Sequence, residues 1–483
     1  MKASRRNFLQ GGIIAATGWL SGKAFAATPQ QEHSGNEHHP AKAAPRAPAH
    51  SAGSLGAGIV PVETPDVPKL PWTMDGGVKV FNLVAEPVKQ EFLPGQTFDL
   101  WGYNGSAPGP TIEVNQGDRV RIVVDNHLPE FTSMHWHGFE IPVEMDGAPG
   151  ISQEPIPPGG RFIYEFTLHQ AGTFFYHSHM PMQEMIGMIG LFIMHPKEPY
   201  RPRVDKDFGI ILQEYAILPN NTVPNTMSME FNWLTLNGKT GPACTPMIVR
   251  QGDRVRIRVI NLGMDHHPIH LHGNTFYVTG TEGGRIPEAA WIPGNTALVG
   301  VAQARDIEFE AKYPGDWMVH CHMPHHNMNQ MSSMVGPMTR MPGMTAGKGM
   351  EEGMGIMHQG GPASEENGPS LGRGMGVGST SEQAVANGPV SVEQAQHAGH
   401  GMQHHHHQGF DTEVAKNANS VPGFPQDAMM EGPGMAIDEL VEKPETYGLP
   451  KGWSGYSMGM MTLVRVLPPE TYDKIMALKN QRR

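Results

Sequence analysis

Residues 116–126 read QGDRVRIVVDN, and residues 251–261 read QGDRVRIRVIN, a near-repeat at an offset of 135 (251 − 116). Apolar and polar residues alternate in both, and on an extended chain that alternation sends the two kinds to opposite faces. Both stretches therefore read as half-buried strands. The same offset carries His135 and His137 of MHWHG onto His270 and His272 of HLHG. Further along, AGTFFYHSH (171–179) aligns with PGDWMVHCH (314–322) at an offset of 143. A β-rich unit of this length matches one Greek-key sandwich. The expectation is an all-β chain with two sandwich domains, at 76–200 and 201–340, joined by the linker MHPKEPYRPRVDK.

The flanks have a different character. SRRNFLQGGIIAATGWLSGKAFA (4–26) combines paired arginines, Arg5 and Arg6, with a short apolar run and small residues Ala24 and Ala26 before a cut. It resembles a twin-arginine export signal, which implies a periplasmic protein folded before export. Residues 27–75 read as a disordered linker. Residues 341–455 read as a Met/His/Gly-rich low-complexity tail, too poor in apolar residues to bury a core. Residues 456–483 are apolar enough for a strand or short helix that docks back. No later stretch is long and apolar enough to span a bilayer. A net charge of −12 argues against a nucleic-acid partner.

The two copies differ where chemistry is expected. His267 falls on Thr132, Cys321 on Ser178 and His326 on Gln183, so the second copy holds a Cys/His/His set that the first lacks. Four HxH pairs occur: His135/His137, His177/His179, His270/His272 and His320/His322. On a strand each pair presents both imidazoles to one side. Eight imidazoles exceed what one zinc or one mononuclear copper takes, so they imply a metal cluster. His267, Cys321 and His326 form a trigonal His₂Cys set, and Met331, ten residues past Cys321, is the candidate weak axial thioether. That is the donor set of a blue-copper electron-transfer site. Only two cysteines exist, and Cys321, between two histidines, suits a thiolate ligand better than a disulfide. Cys244 has no histidine neighbour and reads as a structural thiol or a free one without an assigned role.

MHWHG, YHSH, HPIHLHG and HCHMPHHNMNQM, in that order, resemble the four copper-binding motifs of multicopper oxidases over residues 76–340. The resemblance implies cupredoxin-like domains and four coppers: one blue (type 1), one type 2 and a type 3 pair. By position, His135 and His270 would hold type 2 copper. His137, His177, His179, His272, His320 and His322 would hold the type 3 pair. It further implies one-electron oxidation of a substrate at the blue site, coupled to reduction of O₂ to water. Asp146 stands where similar enzymes carry a proton-relaying acid. Where some relatives have a Glu after the ligand matching His326, this chain has Asn327.

Three-domain relatives insert a domain between the second and third motifs. Here 88 residues separate His179 from His267 (267 − 179), too few for one. Similar two-domain enzymes complete their cluster between subunits, which implies a homotrimer. The reducing substrate is a low-valent metal ion, Cu(I) first, or a phenol or aromatic amine. Soft thioether and imidazole donors favour Cu(I): 19 of the 33 methionines lie from residue 323 onward, beside HHHH (404–407). A second methionine run, HMPMQEMIGMIGLFIM (179–194), reads as either packing or metal capture. A nitrite reductase would need its blue-copper cysteine in the first domain, where Ser178 stands. A copper store would not need the HCH bridge.

Overall fold

The structure, a computed structural model, describes residue 55 and residues 58–217, 221–229, 231–327 and 436–481. In the first sandwich one sheet runs Trp72–Asp75, Val78–Leu93, Arg119–Asn126, Arg161–Thr167, with Gln96–Tyr103 also paired to Val78–Leu93. The facing sheet runs Gly109–Asn115, Ile189–His195, Gly172–His177, His135–His137. Val120, Ile122 and Val124, the apolar alternates of the first repeat, are fully buried between these sheets with Trp136, Tyr164 and Phe192. Each such side chain contributes roughly 1.5–3 kcal/mol by leaving water.

The second sandwich repeats the plan. Its histidine-bearing sheet runs Met247–Arg250, Met461–Leu467, Gly315–Cys321, His267–Leu271, Thr296–Val299. Its other sheet is built on Lys206–Tyr215, Arg254–Asn261, Gln303–Glu310 and Phe276–Thr281. Here the polar alternates do not face solvent. Arg256 and Arg258 are buried, paired with Asp207 and Glu308, and Arg258 Nη1 donates to Thr173 Oγ1 of the first sandwich at 2.7 Å. Buried charges persist only when paired. Around this network Phe175, Leu191 and Ile193 of the first sandwich pack on Ile211, Ile260 and Leu262 of the second. The second repeat therefore forms the seam between the sandwiches, which single-strand alternation does not reveal.

Two boundaries differ from the sequence expectation. Residues 58–75, expected within a linker, are folded: Val62–Glu63 pairs in parallel with Lys206–Tyr215, and Glu113 accepts from Val62 N and Lys69 Nζ. After the low-complexity segment the chain re-enters the second sandwich at Ala436. It makes short 3₁₀ turns at Asp438–Val441, Pro444–Thr446 and Trp453–Tyr456, then strand Met461–Leu467 and helix Pro469–Gln481. Met461–Leu467 is interior to its sheet, between Met247–Arg250 and Gly315–Cys321. In chain order the expected tail thus connects two strands that pair with each other in one sheet. No helix among the described residues is long and apolar enough to cross a membrane.

Candidate metal centre

His135–His137 pairs antiparallel with Gly172–His177, setting His135 opposite His177. The rings of His137, His177 and His179 lie 5.2–5.5 Å from that of His135. In the second sandwich His270 lies opposite His320, and the rings of His272, His320 and His322 stand 4.8–5.6 Å from His270. Sequence spacing thus gathers two four-imidazole sets. Among the described residues, every ring contact between two of these eight histidines stays within one set. His179 and His322 are exposed.

Backbone carbonyls fix which nitrogen each ring presents. Nδ1 of His135, His177, His270 and His320 donates at 2.8 Å to the carbonyls of Asp146, Ser178, Asn295 and Cys321 respectively. The outward Nε2 is left as an acceptor, the tautomer a metal ligand requires. His177 Nε2 then meets His137 Nδ1 at 3.3 Å, and His320 Nε2 meets His272 Nε2 at 3.0 Å. Imidazoles must be neutral to bind a metal. Burial, with the neighbouring His177 and His135, pulls His137 down to about 4. Burial and the surrounding imidazoles also lower His272 and His320.

The Cys/His/His set forms a second, deeper site. His267, Cys321 and His326 are at most 1 % exposed. Cys321 Sγ lies 3.7 Å from His267 Nδ1 and 3.3 Å from His326 Nδ1, and the two Nδ1 atoms are 3.2 Å apart. Three donors each ~2.0–2.3 Å from one ion in a trigonal plane stand roughly 3.5 Å apart, so this set fits a copper ion. Burial pushes the Cys321 thiol up to about 12, so the copper-free site keeps its proton. The first sandwich holds the relic of this site. Thr132 Oγ1 and Ser178 Oγ donate to Gln183 Oε1 at 2.8 and 2.6 Å, a hydrogen-bonded plug where the second copy has His267, Cys321 and His326. Met331 lies outside the described residues.

Asp146 ends the 3₁₀ turn Val143–Met145, with Oδ1 3.4 Å from His135 Nδ1. The next residue must be glycine: Gly147 has φ +85°, and a Cβ there would stand 1.8 Å from Met134 O. The Asp-Gly turn thus brings Asp146 beside His135. In the 179–194 run, Met185, Met188 and Met194 are buried in the cores, while Met182 is exposed.

Three carboxylates at these sites escape the sequence reading. Glu184 Oε2 lies 2.9 Å from His177 Nδ1. The offset of 143 maps it onto Asn327, which neighbours His320, so each half places one polar side chain near the same ring. Asp265 Oδ2 lies 3.5 Å from His326 Nε2, and that contact holds Asp265 below the usual carboxylate range. Together with His325 it offers a second group of donors on the outward side of His326. Glu214, fully buried, reaches His267 Nε2 at 3.1 Å. Cys244 is buried in the core, and burial raises its thiol far above the ordinary value.

Family models described as multicopper oxidase match residues 85–199 and 217–337, one to each sandwich. Copper resistance protein A of Pseudomonas syringae pv. tomato is 33% identical over 148 residues, covering 31% of this chain and 24% of its own. Laccase-1 of Cryptococcus neoformans var. neoformans serotype D (strain B-3501A) is 31% identical over 333 residues, covering 53% of each. A solved blue copper oxidase from Nitrosomonas europaea is 32% identical, covering 52% of this chain and 81% of its own, with a TM-score of 0.49. The chain spans about half, or less, of the length of these curated relatives. With a family match on each sandwich and the copper donor sets they carry, the chain belongs to the multicopper oxidase family.

Proposed function

We propose that this protein is an exported oxidase that removes electrons singly from a low-valent metal ion, Cu(I) first, and delivers them to O₂. The observation that carries the reading is Cys321, whose Sγ faces His267 and His326 while its backbone continues directly into His320 and His322. One residue thus belongs to the electron-accepting site and is bonded to two ligands of the other. Bound copper would supply one-electron transfer at the Cys321 site and four-electron reduction of O₂ to two waters at the histidine cluster. Four Cu(I) give up four electrons in all, and four protons are consumed. Asp146 and Glu184, each against a cluster histidine, are placed to hand on those protons.

Each sandwich carries half a cluster, and a second copy would supply the missing half. Exposed apolar residues flank both halves: Val143 opens the turn ending at Asp146, and Leu298 pairs with Pro268 beside His270. Such residues suit a subunit interface. Three chains closing head to tail would cover every half-cluster, so the reading is a homotrimer.

Asp265 and His325 favour a cationic substrate. They put a carboxylate and an imidazole on the outward side of His326, the edge from which an electron would enter. The relatives' names include copper resistance protein A as well as laccase, so a phenol is the second reading. The expected localisation is periplasmic, by the twin-arginine segment, which lies outside the described residues. Sedimentation of copper-loaded protein with O₂ uptake tests the assembly. A trimer consuming one O₂ per four Cu(I) supports it; a monomer with the same turnover contradicts it.

A further inference from the structure

From the strand register we infer that the axial thioether beside Cys321 comes from Met460, across the whole low-complexity insertion, and not from Met331. In the first sandwich Ile189 pairs with His177; in the second Met461 pairs with His320. Met188 and Met460, each one residue earlier, therefore hold the same place. The backbone agrees on both sides. Ser178 N donates to Met188 O at 3.1 Å, and Cys321 N donates to Met460 O at 3.1 Å. Met188 N donates to Gln183 O at 3.3 Å, and Met460 N donates to His326 O at 2.8 Å. Ser178 and Gln183 are the relic positions of Cys321 and His326. Met460 is thus hydrogen-bonded through its backbone to two of the three equatorial ligand residues.

The local chain repeats as well. Each methionine follows a glycine with positive φ, Gly187 at +116° and Gly459 at +63°, and each is fully buried. Met460 lies in the same core cluster as Cys321. The connection is what differs: Gln183 to Met188 takes 5 residues (188 − 183), whereas His326 to Met460 takes 134 (460 − 326). The Met/His-rich segment is therefore spliced into the ligand loop itself. Local spacing selects Met331 because the offset of 143 carries Met188 onto it. Sheet register selects Met460.

The test is the reduction potential and blue absorption of copper-loaded full-length protein. Leu conserves the volume of Met and removes the weak ligand; Gln keeps the length and offers a harder oxygen that favours Cu(II). Met460→Leu should raise the potential and Met460→Gln should lower it and shift the blue band. Met331→Leu should change neither. Opposite shifts at one position do not follow from a packing role. The assignment is overturned if Met331→Leu raises the potential, or if both Met460 variants leave it where it was. It rests on the blue-copper reading of Cys321, whose failure looks different: no blue band in the parent protein.

Discussion

Glu214 Oε2 lies 3.1 Å from His267 Nε2, and neither side chain has any solvent exposure. Its other oxygen accepts from the backbone of Met264 and Asp265, so donors surround the carboxylate. Gly263 makes room for it, since a Cβ there would fall 1.9 Å from Glu214 Oε2. The register places Pro87 at the equivalent position of the first sandwich, so the carboxylate accompanies the copy that has the Cys/His/His set.

A negative charge on the far nitrogen makes the imidazole a stronger donor and favours Cu(II). Glu214→Gln should therefore raise the blue-site potential and weaken copper retention by about 10–100-fold. Potentiometry and competition with a copper chelator read both. An unchanged potential in a folded variant would reduce Glu214 to packing.

Copper must displace the Cys321 proton. With the thiol raised to about 12 by burial, it is protonated throughout the neutral range in the copper-free protein. Loading the blue site should release one proton there, and its copper affinity should rise about tenfold per pH unit as pH increases. Indicator-dye measurements in weak buffer read the release. Cys321→Ser should show none from this site.

The interface reading predicts a separable loss. Val143→Asp or Leu298→Asp places a charge on an apolar surface beside a half-cluster, which costs several kcal/mol if that surface is buried on assembly. The variants should sediment as single chains, keep the blue band, and lose cluster copper and O₂ reduction together. Trimers of normal activity from both would remove this surface from the assembly.

Asp265→Asn keeps the shape at His326 and deletes the charge. The KM for Cu(I) should rise about tenfold, the equivalent of one lost charge contact near the surface. Turnover of a methoxyphenol should move far less. Equal effects on both substrates would make Asp265 a positioning group for His326 alone.

The sequence was most informative where geometry is local. HxH pairs meet because strand residues two apart share a face, and the Thr132/Ser178/Gln183 correspondence follows from the repeat offset. Glu184 was within reach of that offset, since it aligns with Asn327. Glu214 was not, because it arrives from the opposite sheet, 53 residues before His267 (267 − 214). Its contact depends on how the sheets pack. The place of Met460 depends on strand order across 134 residues, which no spacing rule covers. The seam formed by Arg256 and Arg258 was hidden for a similar reason, because a polar alternate looks the same whether it faces water or a paired acid.

The most direct test of the account is O₂ uptake by copper-loaded protein offered Cu(I) and then a simple methoxyphenol, each with and without excess Cu(II). Uptake with Cu(I) far above the protein-free rate, with weak phenol turnover, is the result predicted. Fast phenol turnover that needs no added copper, with Cu(I) oxidised no faster than without protein, would contradict it.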